Sequence, residues 1–452
     1  TRVATISSTT PILAVMLGLA VGIDYALFIL SRYRDELRNG SELEEATGRA
    51  VGTAGSAVVF AGLTVFIALL GLSVANIPFL TIMGIFAALA VALAVLIALT
   101  MLPALMGFMG GRLRPKPAKA SQENRGGSRW FSWWVGVTTS HPIVTIVAVV
   151  AVLGALSLPA ANLHLALPNS GQRPSQAQDR IAFDLISEHF GPGLNGPLIV
   201  TVDILNSDDP LTVIDGIAAD IETLDGVASV PVATPNANVD TGLIQVIPTT
   251  GPDDPATQDL ADALRGLESQ WKQTYGVDTA VTGLTAIQND VSARLGSALL
   301  PFGILVVGLS LVLLAAVFRS VWVPIKATVG YLLSVGAAFG ATQLVFNQGF
   351  GKQLVNLERP VAIISFLPIL LMGILFGLAM DYEVFLVSRI REEYVHGKSA
   401  IDAIKSGFVA SGPVVMAAAL IMFSVFAFFV PEGMGPIKQI AFSLAVGVAV
   451  DA

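Results

Sequence analysis

The chain has 452 residues, 54% of them hydrophobic and 13% charged, with a net charge of -8 and a mean hydropathy of +0.73. That composition excludes a soluble fold of this length, which would expose too much apolar surface, and indicates a polytopic membrane protein. The absence of cysteine fits an extracytoplasmic domain built without disulfides but does not fix the compartment.

Apolar runs of about twenty residues predict nine spans. They lie near 8–31, 52–74, 77–107, 141–162, 296–318, 321–346, 361–388, 407–431 and a cut-off run at 436–452. Arg32, Arg34, Arg38 and Arg49 follow the first span, and Arg112, Arg114, Lys116, Lys119, Arg125 and Arg129 fill the loop after the third. Arg319, Lys326, Arg389, Arg391, Lys398 and Lys405 mark two more turns on the same side, which the positive-inside rule makes cytoplasmic. Segment 164–293 carries eighteen Asp and Glu against four Lys and Arg, and so belongs outside the cytoplasm. The acidic total averages a basic inner face and an acidic outer segment, and by itself speaks neither for nor against nucleic acid.

The expected organisation is a first-repeat membrane part at 1–107, a cytoplasmic linker at 108–140, a span at 141–162, an extracytoplasmic α/β porter-like domain at 163–295, and a second-repeat membrane part at 296–452. In the linker Trp130, Phe131, Trp133 and Trp134 read as an interfacial aromatic belt. The outer segment reads as a lead helix at 178–190, then strand 197–205, helix 211–224, strands 227–232 and 242–248, helix 256–275 and strand 277–282. This order is the split βαβ, ferredoxin-like unit. Residues 350–357 read as a short amphipathic piece on the outer surface, with a gate over a lateral entrance as the alternative.

The first and seventh spans carry one pattern twice, 357 residues apart: Asp24-Tyr25 with Phe28, and Asp381-Tyr382 with Phe385. Positions 24–55 and 381–412 share ten identities, where background frequencies give about two. The chain is therefore internally duplicated, a mark of secondary transporters. By the repeat logic one span, an outer domain and two further spans are expected upstream of Thr1, and twelve spans in all.

Asp24 lies eight residues before Arg32, roughly 12 Å inside the membrane, and Asp381 and Arg389 repeat the spacing. A carboxylate there costs on the order of 2.5–3.5 kcal/mol, so each finds a partner or takes a proton. A pseudo-twofold along the membrane normal would let each Asp meet the other copy's Tyr, whose hydroxyl can donate to a carboxylate or accept from a carboxylic acid. Phe28 and Phe385, one turn on, would close the site towards the cytoplasm. A static polar clamp is the alternative, but it does not explain why an acid is used twice. Glu383, opposite Ala26 in the repeat, is either a second proton-path group or faces a polar cavity. Ser31, Arg32, Arg34, Ser388, Arg389 and Arg391 read as orientation anchors, and the pairs Gly18/Gly22, Gly336/Gly340 and Gly373/Gly377 as close helix contacts. The run Gly191 to Gly196 satisfies GxGxxG but precedes a strand and contains Pro192, so it is a turn. His141, His164, His189 and His396 show no metal spacing, and there is no Walker loop.

Residues 22–36, 380–393 and Phe318-Arg319-Ser320 resemble the mycobacterial membrane protein large family of the resistance-nodulation-division superfamily, over essentially the whole chain. The resemblance implies a repeated helical core with an α/β domain, and a multi-pass plasma-membrane exporter of envelope lipids such as trehalose monomycolate. It places the family's proton relay on Asp24, Tyr25, Asp381 and Tyr382, and its inhibitor-lined cavity on Phe28 and Phe385. The expected partners are membrane lipid, a lipid substrate, protons and accessory envelope proteins, without nucleic acid. The expected drive is the proton gradient, with no cofactor or metal. Drug efflux and a non-transporting sensor or translocation accessory are the rival readings.

Overall fold

The computed structural model describes residues 8–113, 127–433 and 435–451. In chain order the helices begin with α1 (Thr9–Arg38), α2 (Leu43–Gly71), α3 (Pro78–Met109), α4 (Gly127–Ser140) and α5 (Pro142–Ser157). There follow β1 (Leu165–Ala166), α6 (Gln178–Phe190), β2 (Leu198–Asp203), α7 (Pro210–Glu222), β3 (Val227–Pro235), β4 (Thr241–Pro248), α8 (Pro255–Gly266), α9 (Glu268–Tyr275) and β5 (Thr279–Thr282). The chain closes with α10 (Leu284–Phe318), α11 (Trp322–Thr342), β6 (Ile363–Ile364), α12 (Leu367–Val395), α13 (Ala400–Glu432) and α14 (Pro436–Asp451). Two compact units result. One is Thr1–His164 with Ser297–Pro360 and Phe366–Ala452, the other Leu165–Gly296 with Val361–Ser365.

Eight helices among the described residues are long and apolar enough to cross a membrane: α1, α2, α3, α5 with the 3-10 turn that carries it on to Asn162, α10, α11, α12 and α13. The ninth predicted span is the 16-residue α14. In the helical unit α12 is central. Of its most apolar stretch 78% is buried, against 0% for α5. Small residues set the spacing of two seams. A Cβ at Gly340 would come 1.8 Å from the Leu156 carbonyl oxygen, and one at Gly377 would come 2.4 Å from the Val65 side chain. Backbones approach this closely only where no side chain intervenes. The aromatic segment is α4: Phe131 packs on Phe408 with ring centroids 6.2 Å apart, while Trp130, Trp133 and Trp134 remain exposed. At 350–357 a single 3-10 turn, Lys352–Val355, buries Val355 and leaves Phe350 and Leu354 exposed.

The second unit holds a four-stranded sheet in the order β3-β4-β2-β5, with every neighbouring pair antiparallel. Strands β2 and β3, joined by α7, run parallel with β4 between them, which is the split βαβ arrangement. Alternation along β2 turns Leu198, Val200 and Val202 into the core. There they meet Ile214, Ile217 and Ile221, spaced to share one face of α7. Asp209 caps α7 by accepting from the Thr212 amide, with Pro210 at the first helical position.

The helix expected over 256–275 is two helices. The Leu267 amide turns back to the Leu264 carbonyl, and the break re-aims α9 so that Trp271 is fully buried with its indole N–H donating to Asp220 at 3.2 Å. A parallel bridge of β1 with β6 was not legible in the sequence. Two-residue strands nearly 200 residues apart leave no periodic signal.

Candidate functional site

A buried stripe runs along α1 through Leu13, Met16, Leu17, Ala20, Val21, Asp24, Tyr25 and Phe28, spaced three and four apart. The stripe carries Asp24 inward at 1% exposure; Asp381, on α12, is 6% exposed. Between the repeats one crossed pair is closed: Tyr25 Oη donates to Asp381 Oδ2 at 3.0 Å. Its mirror is open. Asp24 Oδ1, Asp381 Oδ1 and Tyr382 Oη are buried and have no hydrogen-bond partner among the described residues. The expected symmetry fails because Tyr382 lines a crevice with Tyr331, Ser334 and Asp451, on the α11 and α14 side of α12.

Phe28 and Phe385 meet across the repeat axis with ring centroids 4.6 Å apart. On one side of the ring pair a small cavity of about 20 Å³ touches Tyr25 and Asp381, a size that suits a single water. On the side towards the arginines a larger cavity of about 290 Å³ is lined entirely by repeat counterparts: Phe28 with Phe385, Ser31 with Ser388, Arg32 with Arg389, Asp35 with Glu392, Thr53 with Ala410, Ala54 with Ser411, and Ala57 with Val414. It therefore lies on the pseudo-twofold. Arg32 pairs with Glu36 at 3.1 Å and Arg389 with Glu392 at 2.7 Å, so the anchors of the sequence reading also form the wall of an axial cavity. Arg391 instead donates to the Val317 carbonyl at 3.4 Å.

Glu383 sits in a two-pronged ion pair with Lys326 of α11, at 2.7 and 2.8 Å. Asp451, which the sequence reading passed over, accepts from Ser334 Oγ at 3.2 Å. Its signal was a lone acid ending the apolar run Ala445 to Val450, with no acid at the repeat-equivalent Leu93. Among the described residues no group of three or more His, Cys, Asp or Glu could hold a metal. The site brings together ionisable groups in pairs, hydroxyls that can donate or accept, and space for water, which is chemistry able to exchange a proton.

The profile of the MMPL family matches residues 1–145 and 219–452. Membrane protein YdfJ of Bacillus subtilis is 44% identical over 100% of this chain and 62% of its own length. The mycolic acid-containing lipids exporter MmpL11 of Mycolicibacterium smegmatis is 33% identical over 97% of this chain and 46% of its own. The MmpL11 of Mycobacterium tuberculosis, named a heme uptake protein, is also 33% identical, over 97% of this chain and 46% of its own. The chain thus spans about half to three fifths of these relatives. In fold it is similar to SecDF, a translocon-associated membrane protein from Thermus thermophilus, with a TM-score of 0.58 at 14% identity over 98% of this chain and 52% of the other.

Proposed function

Since the chain belongs to the MMPL family and is a multi-pass plasma-membrane protein of the resistance-nodulation-division type, we propose that it forms the proton-driven core of an exporter that moves a long-chain envelope lipid, of the trehalose monomycolate kind, outward across the membrane. The observation that carries this reading is the buried Tyr25–Asp381 hydrogen bond, which ties the two repeats together through ionisable groups. Protonation of Asp381 removes the charge that Tyr25 donates to, and protonation of Asp24 changes what Tyr382 can reach. Each proton thus alters how α1 and α12 hold one another. A membrane potential near 100 mV supplies about 2.3 kcal/mol per charge, so coupling of a few protons is a sufficient drive. The Phe28–Phe385 pair closes the site from the axial cavity, which keeps protons from running through uncoupled. The α/β unit, on the acidic outer side, receives the lipid.

The name of one relative supports a second cargo, heme. Reconstitution of the full-length protein with an imposed pH gradient decides both points. Outward movement of a labelled mycolate-type lipid that stops on collapsing the gradient is the expected result. Gradient-dependent inward heme movement without lipid movement would replace the cargo, and movement of either that ignores the gradient would overturn proton coupling.

A further inference from the structure

Helix α4 has three sides. On the first, Phe131 and Val135 are buried, and Phe131 is seated on α13: it packs on Phe408, and a Cβ at Gly412 would come 2.9 Å from its ring. On the second, Trp130, Trp133, Trp134 and Val137 are brought together by 3.6 residues per turn and are 42% to 60% exposed. The Trp130 and Trp134 rings stack at 10° with centroids 6.2 Å apart, so the indoles present one continuous apolar surface. The third side carries Ser132 and Thr139. Ser140 ends α4 and Pro142 opens the α5 span, which places α4 at the level where the chain enters the membrane from the basic face. A helix with an indole side and a hydroxyl side at that level lies along the interface.

The uncompensated charge around that surface is positive. Arg129 precedes Trp130, and α4 holds no acid. In the two turns of α13 before Phe408, Ile401, Ile404 and Lys405 are all exposed. Arg129 and Lys405 are exposed and make no ion pair among the described residues, whereas Arg32, Arg389 and Lys398 on the same face of the membrane are paired with Glu36, Glu392 and Glu393. The acid on this stretch of α13, Asp402, accepts from the Ser399 hydroxyl at 2.7 Å. Along the sequence from 108 to 140 six Arg and Lys stand against Glu123 alone. A zwitterionic headgroup layer offers such cations no net charge, and an anionic one does.

We propose that α4 and the opening turns of α13 form a binding site for anionic lipid of the cytoplasmic leaflet, whose ligand is a phosphodiester on two acyl chains with no ammonium to cancel its charge. The indoles lie against the upper acyl carbons and their N–H groups meet ester and phosphate oxygens. Arg129 and Lys405 hold the phosphate, the guanidinium through its planar fork and the ammonium as a point charge. Lipid at this site stays with the protein and is distinct from any transported cargo, so the site stands or falls independently of proton coupling and of what is exported.

The test reads tryptophan fluorescence of the full-length protein in vesicles made of equal parts phosphatidylcholine and phosphatidylglycerol, with one or the other lipid brominated on its acyl chains. The α4 signal is the difference between the wild type and a protein carrying Trp130→Phe, Trp133→Phe and Trp134→Phe; should that protein fail to accumulate, Trp133→Phe alone supplies the difference. Quenching of this signal is expected to be at least about fivefold more effective from brominated phosphatidylglycerol than from brominated phosphatidylcholine. Arg129→Gln combined with Lys405→Gln, both on exposed and unpaired side chains, should make the two lipids equal. Equal quenching by the two lipids in the wild type overturns the proposal, as does a preference that survives the double substitution. Absence of quenching by either lipid overturns it as well, because the indole side would then be covered by a protein partner.

Discussion

The two repeats carry the same Asp-Tyr-x-x-Phe element in different company. On α1 the tyrosine reaches across and is paired, and α3 presents Leu93 outward; on α12 the tyrosine has no partner among the described residues and lines a crevice with Asp451, with Glu383 held by Lys326. Around the axis the copies stay matched, since the 290 Å³ cavity is walled by seven counterpart pairs. A duplicated element can thus preserve symmetry where the copies face each other and lose it where each faces its own neighbours. The shared surface is where a site is held, and the unshared surface is where a direction can be built in.

The largest effect tests whether the halves are functionally equal. Asp24→Asn and Asp381→Asn should each reduce gradient-driven transport by at least about 10²-fold, the scale of losing a proton-transfer group. Both should leave expression intact, because the amide keeps shape. Transport assays on the two variants that differ by more than a few-fold would show that one aspartate alone carries the proton.

Packing sharpens the same contrast. Gly340→Val forces a side chain onto the Leu156 carbonyl and should destabilise the protein by about 1–3 kcal/mol in a detergent unfolding assay. At Gly18, where a Cβ would stand 3.7 Å from Ala90, an Ala substitution should change stability by less than about 0.5 kcal/mol. Comparable losses at the two sites would mean that the α1–α3 seam is as tight as the α5–α11 seam.

The tyrosines should also separate. Tyr25→Phe leaves Asp381 without its donor and should cost about 1–3 kcal/mol, while Tyr382→Phe removes a buried hydroxyl that has no partner among the described residues and should stabilise, by up to about 1–3 kcal/mol. Equal losses by thermal unfolding would place a hydrogen bond on Tyr382.

The smallest effect lies in the α/β unit, whose acids are exposed. Hydrogen bonds from Arg173 to Asp179, Thr212 to Asp209 and Asn236 to Asp240 hold these carboxyls below their ordinary value of 3.8. A carboxyl lowered in the folded state adds stability above its unfolded value and loses it as pH falls through the lowered one. Hydrogen-exchange protection of the β2–β5 amides should therefore be flat from neutral pH to about 5 and decline below about 4. Protection that already falls above pH 5 would place the sensitivity elsewhere.

The sequence by itself determined eight of its nine expected spans, the duplication, the buried acids and the order of strands in the α/β unit. Each of these is written in one dimension: apolar length, alternation, spacing, and the cost of a charge in hydrocarbon act on a segment whatever its neighbours. The tertiary structure decided which crossed pair closes, that Arg32 and Arg389 wall an axial cavity, that helix 256–275 breaks at Leu267, and that Asp451 keeps company with Tyr382 and Ser334. A hydrogen bond is made or lost over less than 1 Å, and the relative placement of two helices at that scale is set by every side chain packed between them.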